Sequence, residues 1–293
     1  MRIDLHTHSD RSDGTTPPRE LVRHAKELGI DVVALTDHDT TEGWADAAEA
    51  AQREGITLVR GLEISCKLAG HGAHLLAYLP DPTYEPLALE LGRILDGRNA
   101  RLPATLDKLR ALGIDIEEDD VRRIAGDAAA MGRPHVADAL VDKGVVRHRG
   151  EAFDTYLGSR GPAYVNRYAA PLEAMVRTVA EAGGVSVLAH PWAKRHNYEA
   201  LDEACFAKLK QEGLVGIEVD HQDHDRPTRD ALRSIARNLD LVVTGSSDYH
   251  GDGKVDHDLG CNTTDPDEFA RLLDLAGAAA AASGRRAPEV LAL

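Results

Sequence analysis

Apolar residues in this chain gather into seven short runs rich in Val, Ile, Leu and Ala: Arg2 to His6, Asp31 to Thr36, Thr57 to Ile64, Ala73 to Leu79, Val185 to Ala189, Val215 to Val219 and Leu241 to Thr244. Runs of this length, bounded by Gly, Pro and polar clusters, read as strands. Most are separated by segments of helical periodicity. After the first run, Leu21, Val22, Ala25 and Leu28 form one stripe, opened by Pro17 and Pro18 and stopped by Gly29. After the second, Ala45, Ala48 and Ala51 repeat at helical spacing between Thr41, the expected N-cap, and Gly55. Further helices fit Pro171 to Ala182, Leu201 to Glu212, Thr228 to Asn238 and Pro266 to Ala276. Strands and helices that alternate in this way predict parallel βα units and an α/β fold.

One interval breaks the alternation. Residues 82–163 pass with helical periodicity and almost no strand signal: Leu102, Leu106 and Leu109 make one stripe, Val136, Leu140 and Val141 another. The expectation is a helical insertion domain over 82–163, with 1–81 and 164–293 forming one domain around it. The Ala-rich C-terminal end is low in complexity, is expected to fray after the last helix, and carries no evident chemistry. There is no internal repeat.

The polar residues beside these runs carry the chemical signal. In a parallel αβ barrel, active sites form at the C-terminal ends of the strands. Here the runs end in His6 and His8, in Thr36-Asp37-His38-Asp39, in Gly61-Leu62-Glu63, in Ala189-His190-Pro191 and in Ser247-Asp248-Tyr249-His250. His74 opens its run instead of closing it. His6 and His8 project from one face of an extended chain, Asp248 and His250 repeat that spacing, and Asp13 follows the first pair. Imidazole nitrogen and carboxylate oxygen are donors for Zn, Mn or Fe. Any one of these residues alone is better explained as a hydrogen-bonded core histidine, an ion-pair partner or, for Asp39, a helix cap. Five or six converging on one barrel mouth are not, because a buried His and Asp cluster without a metal would strand uncompensated charge. His24, His71, His148, His196 and His257 lack such partners in sequence and are assigned no chemistry.

Composition narrows the choices. Aromatic residues are only 4% of the 293 residues, so the core must be aliphatic. With 34 basic against 49 acidic residues the formal charge is −15, which opposes binding to long duplex DNA or an anionic membrane. A polyanionic substrate would therefore have to be held locally, by metals or a few placed arginines. No apolar run approaches the roughly 18 residues of a membrane span, and residues 1–20 lack the apolar centre of a signal peptide, so a cytoplasmic protein is expected. The irregular spacing of Cys66, Cys205 and Cys261 suits reduced thiols, not a disulfide framework. Nothing indicates an obligate protein partner.

Leu5-His6-Thr7-His8 with Asp13, Thr36-Asp37-His38, Gly61 with Glu63, His74, His190-Pro191 and Ser247-Asp248-Tyr249-His250 together resemble the PHP (polymerase and histidinol phosphatase) family of metal-dependent phosphoesterases. Gly132-Arg133-Pro134-His135, followed by Gly161-Pro162-Ala163-Tyr164-Val165, looks like the branch containing the nucleoside 3′,5′-bisphosphate phosphatases and the 5′-to-3′ exoribonuclease RNase AM. The resemblance implies a distorted seven-stranded (β/α) barrel, in agreement with the number of runs. It also implies three divalent metal ions, manganese first, with iron or zinc as alternatives. His6, His8, Glu63 and Asp248 would hold the first ion; Glu63 would bridge to a second held by His74 and His190; Asp13, His38 and His250 would hold the third. Some relatives place a histidine where Asp13 stands. Glu63, Asp248 and His190 would form the catalytic centre.

Closely spaced divalent ions generate hydroxide near neutral pH and stabilise charge on the attacking and leaving oxygens of a phosphate ester. The leaving oxygen needs a proton, which His224, Asp220 or a metal-bound water could supply, and His221 with His224 could line the mouth. A second phosphate needs cations outside the metal cluster. Arg133 and His135 are the first candidates, followed by Arg160 and by Arg98 and Arg101, which share one helix face. The expected function is hydrolysis of nucleoside 3′,5′-bisphosphates, with stepwise 5′-to-3′ trimming of short 5′-phosphorylated RNA as a second use of the site. Histidinol-phosphate hydrolysis and a non-catalytic, metal-stabilised binding module are the alternatives.

Overall fold

The computed structural model describes residues 1–129, 131–193, 201–286 and 290. Its strands are β1 (Ile3–Asp4), β2 (Val32–Leu35), β3 (Thr57–Leu68), β4 (His71–Tyr78), β5 (Ala170–Pro171), β6 (Val185–Leu188), β7 (Leu214–Asp220) and β8 (Val242–Gly245). Its α-helices are α1 (Pro18–Glu27), α2 (Trp44–Glu54), α3 (Glu85–Ala111), α4 (Glu118–Ala125), α5 (Arg133–Asp142), α6 (Arg149–Ala152), α7 (Leu172–Glu181), α8 (Glu203–Gln211), α9 (Arg226–Asn238) and α10 (Pro266–Ala282). Seven strands are neighbours in the order β1-β2-β3-β4-β6-β7-β8. Past the ends of β1 and β8, Thr7 bridges Tyr249 and the His8 amide donates to the Tyr249 carbonyl at 2.8 Å. The sheet is thus a nearly closed seven-stranded barrel, pinned together at the end where the site forms.

The strands are not all parallel, contrary to the βα pattern. Only Ala69 and Gly70, both at positive φ, separate β3 from β4, which is a hairpin connection with no room for a crossover helix. β4 therefore runs antiparallel to β3, with His74 opposite Ser65, and antiparallel to β6 as well. Reversal puts the beginning of β4 where other strands end, which explains why His74 precedes its apolar run. β3 also continues past Ile64 to Leu68, and the short β5, invisible in the sequence pattern, pairs with it at Cys66 and Lys67.

Alternation along each strand sorts the core into two layers. Val32, Ala34, Val59, Leu76, Tyr78, Val185 and Val187 belong to one cluster with Phe269, Leu272 and Ala276 of α10. Val33, Leu35, Leu58, Leu75 and Leu188 belong to the other, packed against α1, α2, α7, α8 and α9. The helices differ from the sequence pattern mainly at their ends. α2 begins at Trp44 after Gly43 and not at Thr41, α9 begins at Arg226 with Asp225 as its cap, and α10 runs on through the Ala-rich segment to Ala282. Among the described residues no helix is long and apolar enough to cross a membrane.

Between β4 and β5 the chain is helical, ending in a π-helix over Phe153–Leu157. Helix α3 serves two cores. Its Leu87, Leu91 and Ile94 pack on the barrel's outer layer, whereas Leu102, Leu106 and Leu109 join Val121, Val136, Leu140 and Leu157 in a separate cluster.

Candidate metal centre

The residues flanking His38 prepare the site. Asp37 accepts from the Ser9 amide at 2.8 Å, from Ser9 Oγ at 2.6 Å and from Ser12 Oγ at 2.6 Å, which shapes the loop that presents Asp13. Asp39 accepts from the Ser65 amide at 2.6 Å and from Arg98 Nε at 2.8 Å. His38, between them, turns to the cluster. Asp39, His190 and Asp248 all have positive φ, a costly backbone state for non-glycine residues that the surrounding hydrogen bonds hold in place.

All nine expected metal ligands converge. Glu63 lies at the centre: its Oε2 is 3.1 Å from His6 Nε2, 3.0 Å from His8 Nε2 and 3.3 Å from His38 Nδ1. Its Oε1 is 2.8 Å from His74 Nδ1 and 3.0 Å from His190 Nε2. Asp248 Oδ1 is 3.5 Å from both His6 Nε2 and His8 Nε2. To one side, Asp13 Oδ1 is 3.3 Å from His250 Nε2, and Asp13 Oδ2 is 3.7 Å from His38 Nε2. Donors about 2.1 Å from a common ion stand about 3.0 to 3.4 Å apart at octahedral or tetrahedral angles, so most of these separations match edges of a coordination polyhedron.

Charge makes the same point. Burial opposes ionisation of Glu63, but His74, His38 and His6 outweigh it and hold the carboxyl well below its ordinary range. Asp13 is lowered against its burial by His38 and His250, and Asp248 by Lys254, His6 and His250. The same carboxylates draw His8 up to about 9 against the effect of its burial. His6 and His190 are raised in the same way, whereas burial lowers His38 to about 3 and lowers His250 as well, so the buried carboxylates are only partly compensated by imidazolium charge. Divalent ions would supply the rest, and the nitrogen and oxygen donor set fits them.

Sequence reading passed over Glu218, which is hidden inside the apolar run of β7. Glu218 is fully buried, 3.0 Å from His6 Nδ1, and accepts from the His190 amide at 2.8 Å and from Ser246 Oγ. It fixes the orientation of two ligands from behind. A glutamate among Val, Gly and Ile in a buried strand was the available signal. His221 Nδ1 accepts from the Asp223 amide at 3.1 Å, so its Nε2 proton faces Asp248 Oδ2 at 3.1 Å, and Lys254 reaches the same oxygen. His257, given no chemistry above, is buried beside His221, with ring centroids 5.6 Å apart. His196 lies outside the described residues.

The cationic candidates separate. Arg101 is 6% exposed and has no side-chain hydrogen-bond or ion-pair partner among the described residues; burial, with Arg133, Arg167 and Arg98 nearby, pulls it down to about 8. Arg133 stacks over Phe153 and Tyr164 and donates to the Leu157 carbonyl at 3.0 Å. Arg98 spends Nε on Asp39 and Nη2 on Ser65, whose Oγ also receives Arg167 at 2.7 Å. His135 is buried and accepts from the Gly132 amide at Nδ1, at 3.0 Å, so its proton sits on Nε2. Arg11, Ser12, Asp13, His38, Arg98 and His135 line one small cavity, which joins the insertion to the metal cluster. Arg160, by contrast, is solvent-exposed with no ion-pair partner among the described residues. Of the expected proton donors, Asp220 is held by Arg233 at 2.5 Å and by Arg229 at 3.7 Å, and His224 Nδ1 is 2.9 Å from the Val219 carbonyl.

A nearly closed barrel whose mouth gathers this many imidazoles and carboxylates has the donor set of a metal-dependent hydrolase. Comparison with known proteins agrees. A family model described as the PHP domain matches residues 4–96. A 3′,5′-nucleoside bisphosphate phosphatase from Chromobacterium violaceum is 35% identical over 88% of this chain and 90% of its own length. A 5′-3′ exoribonuclease from Haemophilus influenzae is 34% identical over 85% of this chain and 90% of its own. The crystal structure of a Bifidobacterium adolescentis protein assigned as a metal-dependent phosphoesterase superposes with a TM-score of 0.89 at 35% identity, covering 93% of this chain and 96% of that one. The chain belongs to the PHP family of metal-dependent phosphoesterases.

Proposed function

We propose that this enzyme hydrolyses nucleoside 3′,5′-bisphosphates to a mononucleotide and phosphate, and that the same site trims short 5′-phosphorylated RNA in the 5′-to-3′ direction. The observation that carries the reading is the group of arginines on the insertion side of the cluster: Arg98, Arg133 and Arg167 lie close enough to Arg101 to repel its charge, Asp39 is paired with Arg98, and Arg101 itself has no ion-pair partner among the described residues. A buried guanidinium without an acid is unfavourable unless an anion completes it. A substrate with two phosphates supplies one to the arginines and the other to the metal cluster. The likeness to a bisphosphate phosphatase supports this reading.

In this proposal the nine side chains would hold up to three divalent ions, manganese first, with His6, His8, Glu63 and Asp248 forming one donor group, His38 and His74 meeting Glu63 in another, and Asp13 and His250 joining His8 and His38 in a third. When bound, such ions supply hydroxide near neutral pH and stabilise developing charge on phosphate oxygens. Glu218 keeps His6 and His190 in ligating orientation. His135 Nε2–H donates to a phosphoryl oxygen in the cavity it shares with Asp13 and His38. Arg101 and Arg133 hold the second phosphate, and Arg98 stiffens the floor through Asp39. The segment 82–163 acts as a roof that brings these cations to the mouth. Such a substrate fits a cytoplasmic enzyme.

The test is phosphate release with Mn²⁺ from adenosine 3′,5′-bisphosphate, a short 5′-phosphorylated RNA and histidinol phosphate. The bisphosphate should react fastest and histidinol phosphate least. Activity on histidinol phosphate alone would overturn the substrate assignment.

A further inference from the structure

The helical insertion touches the loop that carries Asp13 at the backbone as well as around the shared cavity. The Ala129 amide donates to the Arg11 carbonyl at 3.1 Å, and Arg149 Nη1 donates to the Asp13 carbonyl at 3.0 Å. Arg149 stands at the start of α6 with its side chain only 12% exposed. Its other nitrogens are taken by Asp138 of α5, Nε at 2.7 Å from Oδ1 and Nη2 on Oδ2. The guanidinium therefore cannot drift; α5 fixes its plane and direction.

On its far side the guanidinium rests on Gly253, in the turn that follows His250, where a Cβ would have to displace it. The same turn is tied to the Asp13 loop, since Asp252 N donates to Thr15 Oγ1 at 2.9 Å and Thr15 N to the His250 carbonyl at 3.2 Å. One side chain of the insertion thus touches both segments that supply Asp13 and His250, while the segments supplying His6, Glu63, His74 and His190 are fixed by the barrel's own strands. We infer that Arg149 is a positioning residue that makes the metal position formed by Asp13, His38 and His250 depend on a docked insertion, leaving the two positions centred on Glu63 independent of it. This rests on the metal reading proposed above.

Partners one step behind a metal ligand commonly alter affinity by about 10- to 100-fold. The experiment is Mn²⁺ titration of the full chain, read as number and affinity of bound ions by calorimetry and elemental analysis, for wild type, Arg149→Ala, Arg149→Lys and Gly253→Ala. Arg149→Ala should weaken one ion by about 10- to 100-fold and leave the others unchanged. Arg149→Lys should recover part of the loss, and Gly253→Ala, which pushes the guanidinium away, should reproduce it. Arg147→Ala, at an exposed neighbour paired with Glu151, should change nothing. Unaltered binding in both Arg149→Ala and Gly253→Ala overturns the inference, as does an equal weakening of every ion. Wild-type protein that binds no Mn²⁺ overturns the metal reading itself.

Discussion

The barrel mouth and the helical segment between β4 and β5 carry opposite charge on either side of one small cavity, and they are built in opposite ways. At the mouth, carboxylates and imidazoles sit at or just beyond strand ends, where sheet register fixes them and where Asp37, Asp39 and Glu218 brace them from behind. In the insertion, the charge is guanidinium, carried on helices whose side chains are long and whose placement depends on how α3 and α5 pack. On the function proposed above, the rigid, short, metal-seeking groups would do the chemistry and the long cations would set which phosphate is reached. The difference then teaches that reaction type and substrate choice should be separable, each open to perturbation without the other.

The largest effect should come from the centre of the mouth. Glu63→Gln removes the carboxylate on which five imidazoles converge, and should lower turnover by about three orders of magnitude or more while stripping most bound metal. Full turnover with metal retained would remove Glu63 from the proposed metal site. On the insertion side, Arg101→Ala and Arg133→Ala should each raise KM for a bisphosphate by about 10- to 100-fold, the equivalent of a lost charged hydrogen bond, with little change for a mononucleotide ester. An unchanged KM in both variants would remove the arginines from substrate binding.

The two cores offer a third contrast. Leu106→Ala, in the insertion cluster, should destabilise that part by about 2 to 5 kcal/mol and leave the Glu63-centred metals bound. Leu62→Ala, beside Glu63 in the barrel, should reduce stability and metal content together. Metal loss in Leu106→Ala equal to that in Leu62→Ala would show that the cores are not separable. The smallest effect concerns pH. Burial depresses the pKa of His135 below its ordinary 6.5, so the unfolded chain takes up a proton there before the folded one does. Stability from neutral His135 is complete above about 6.5 and is lost as pH falls toward the depressed value, and His135→Gln should make thermal unfolding less sensitive to acid over that window. Equal acid sensitivity in the two proteins would remove His135 from this account.

The metal-seeking residues were legible because strands advertise themselves: an apolar run that stops at a His or Asp places that side chain at a known end of the sheet. His74 broke that rule only because Ala69-Gly70 makes a hairpin and turns β4 around, and β5 was too short to leave a pattern. Glu218 escaped because it interrupts a run instead of ending one. The arginines were harder. Arg98 and Arg101 are three residues apart on α3, yet Arg98 is consumed by Asp39 while Arg101 is left without an acid, and Arg160 stays in solvent. Arg167 and Arg149, which the structure places against Ser65 and the Asp13 loop, have no signature in the chain.

The amino-acid order by itself determined the strand-forming runs and which histidines and carboxylates stand at their ends, because hydrophobic periodicity and strand polarity are local properties that survive without knowledge of the fold; the closed barrel and the class of reaction were implied by the resemblance of those motifs to the PHP family. Which arginine is spent on a carboxylate, which histidine tautomer is set by a backbone amide, and how the insertion is latched to the Asp13 loop were decided only by tertiary packing. Those outcomes depend on contacts between residues tens to hundreds of positions apart, such as Arg98 with Asp39 and Arg149 with Asp13, and long flexible side chains carry no trace of their eventual partner in the local sequence.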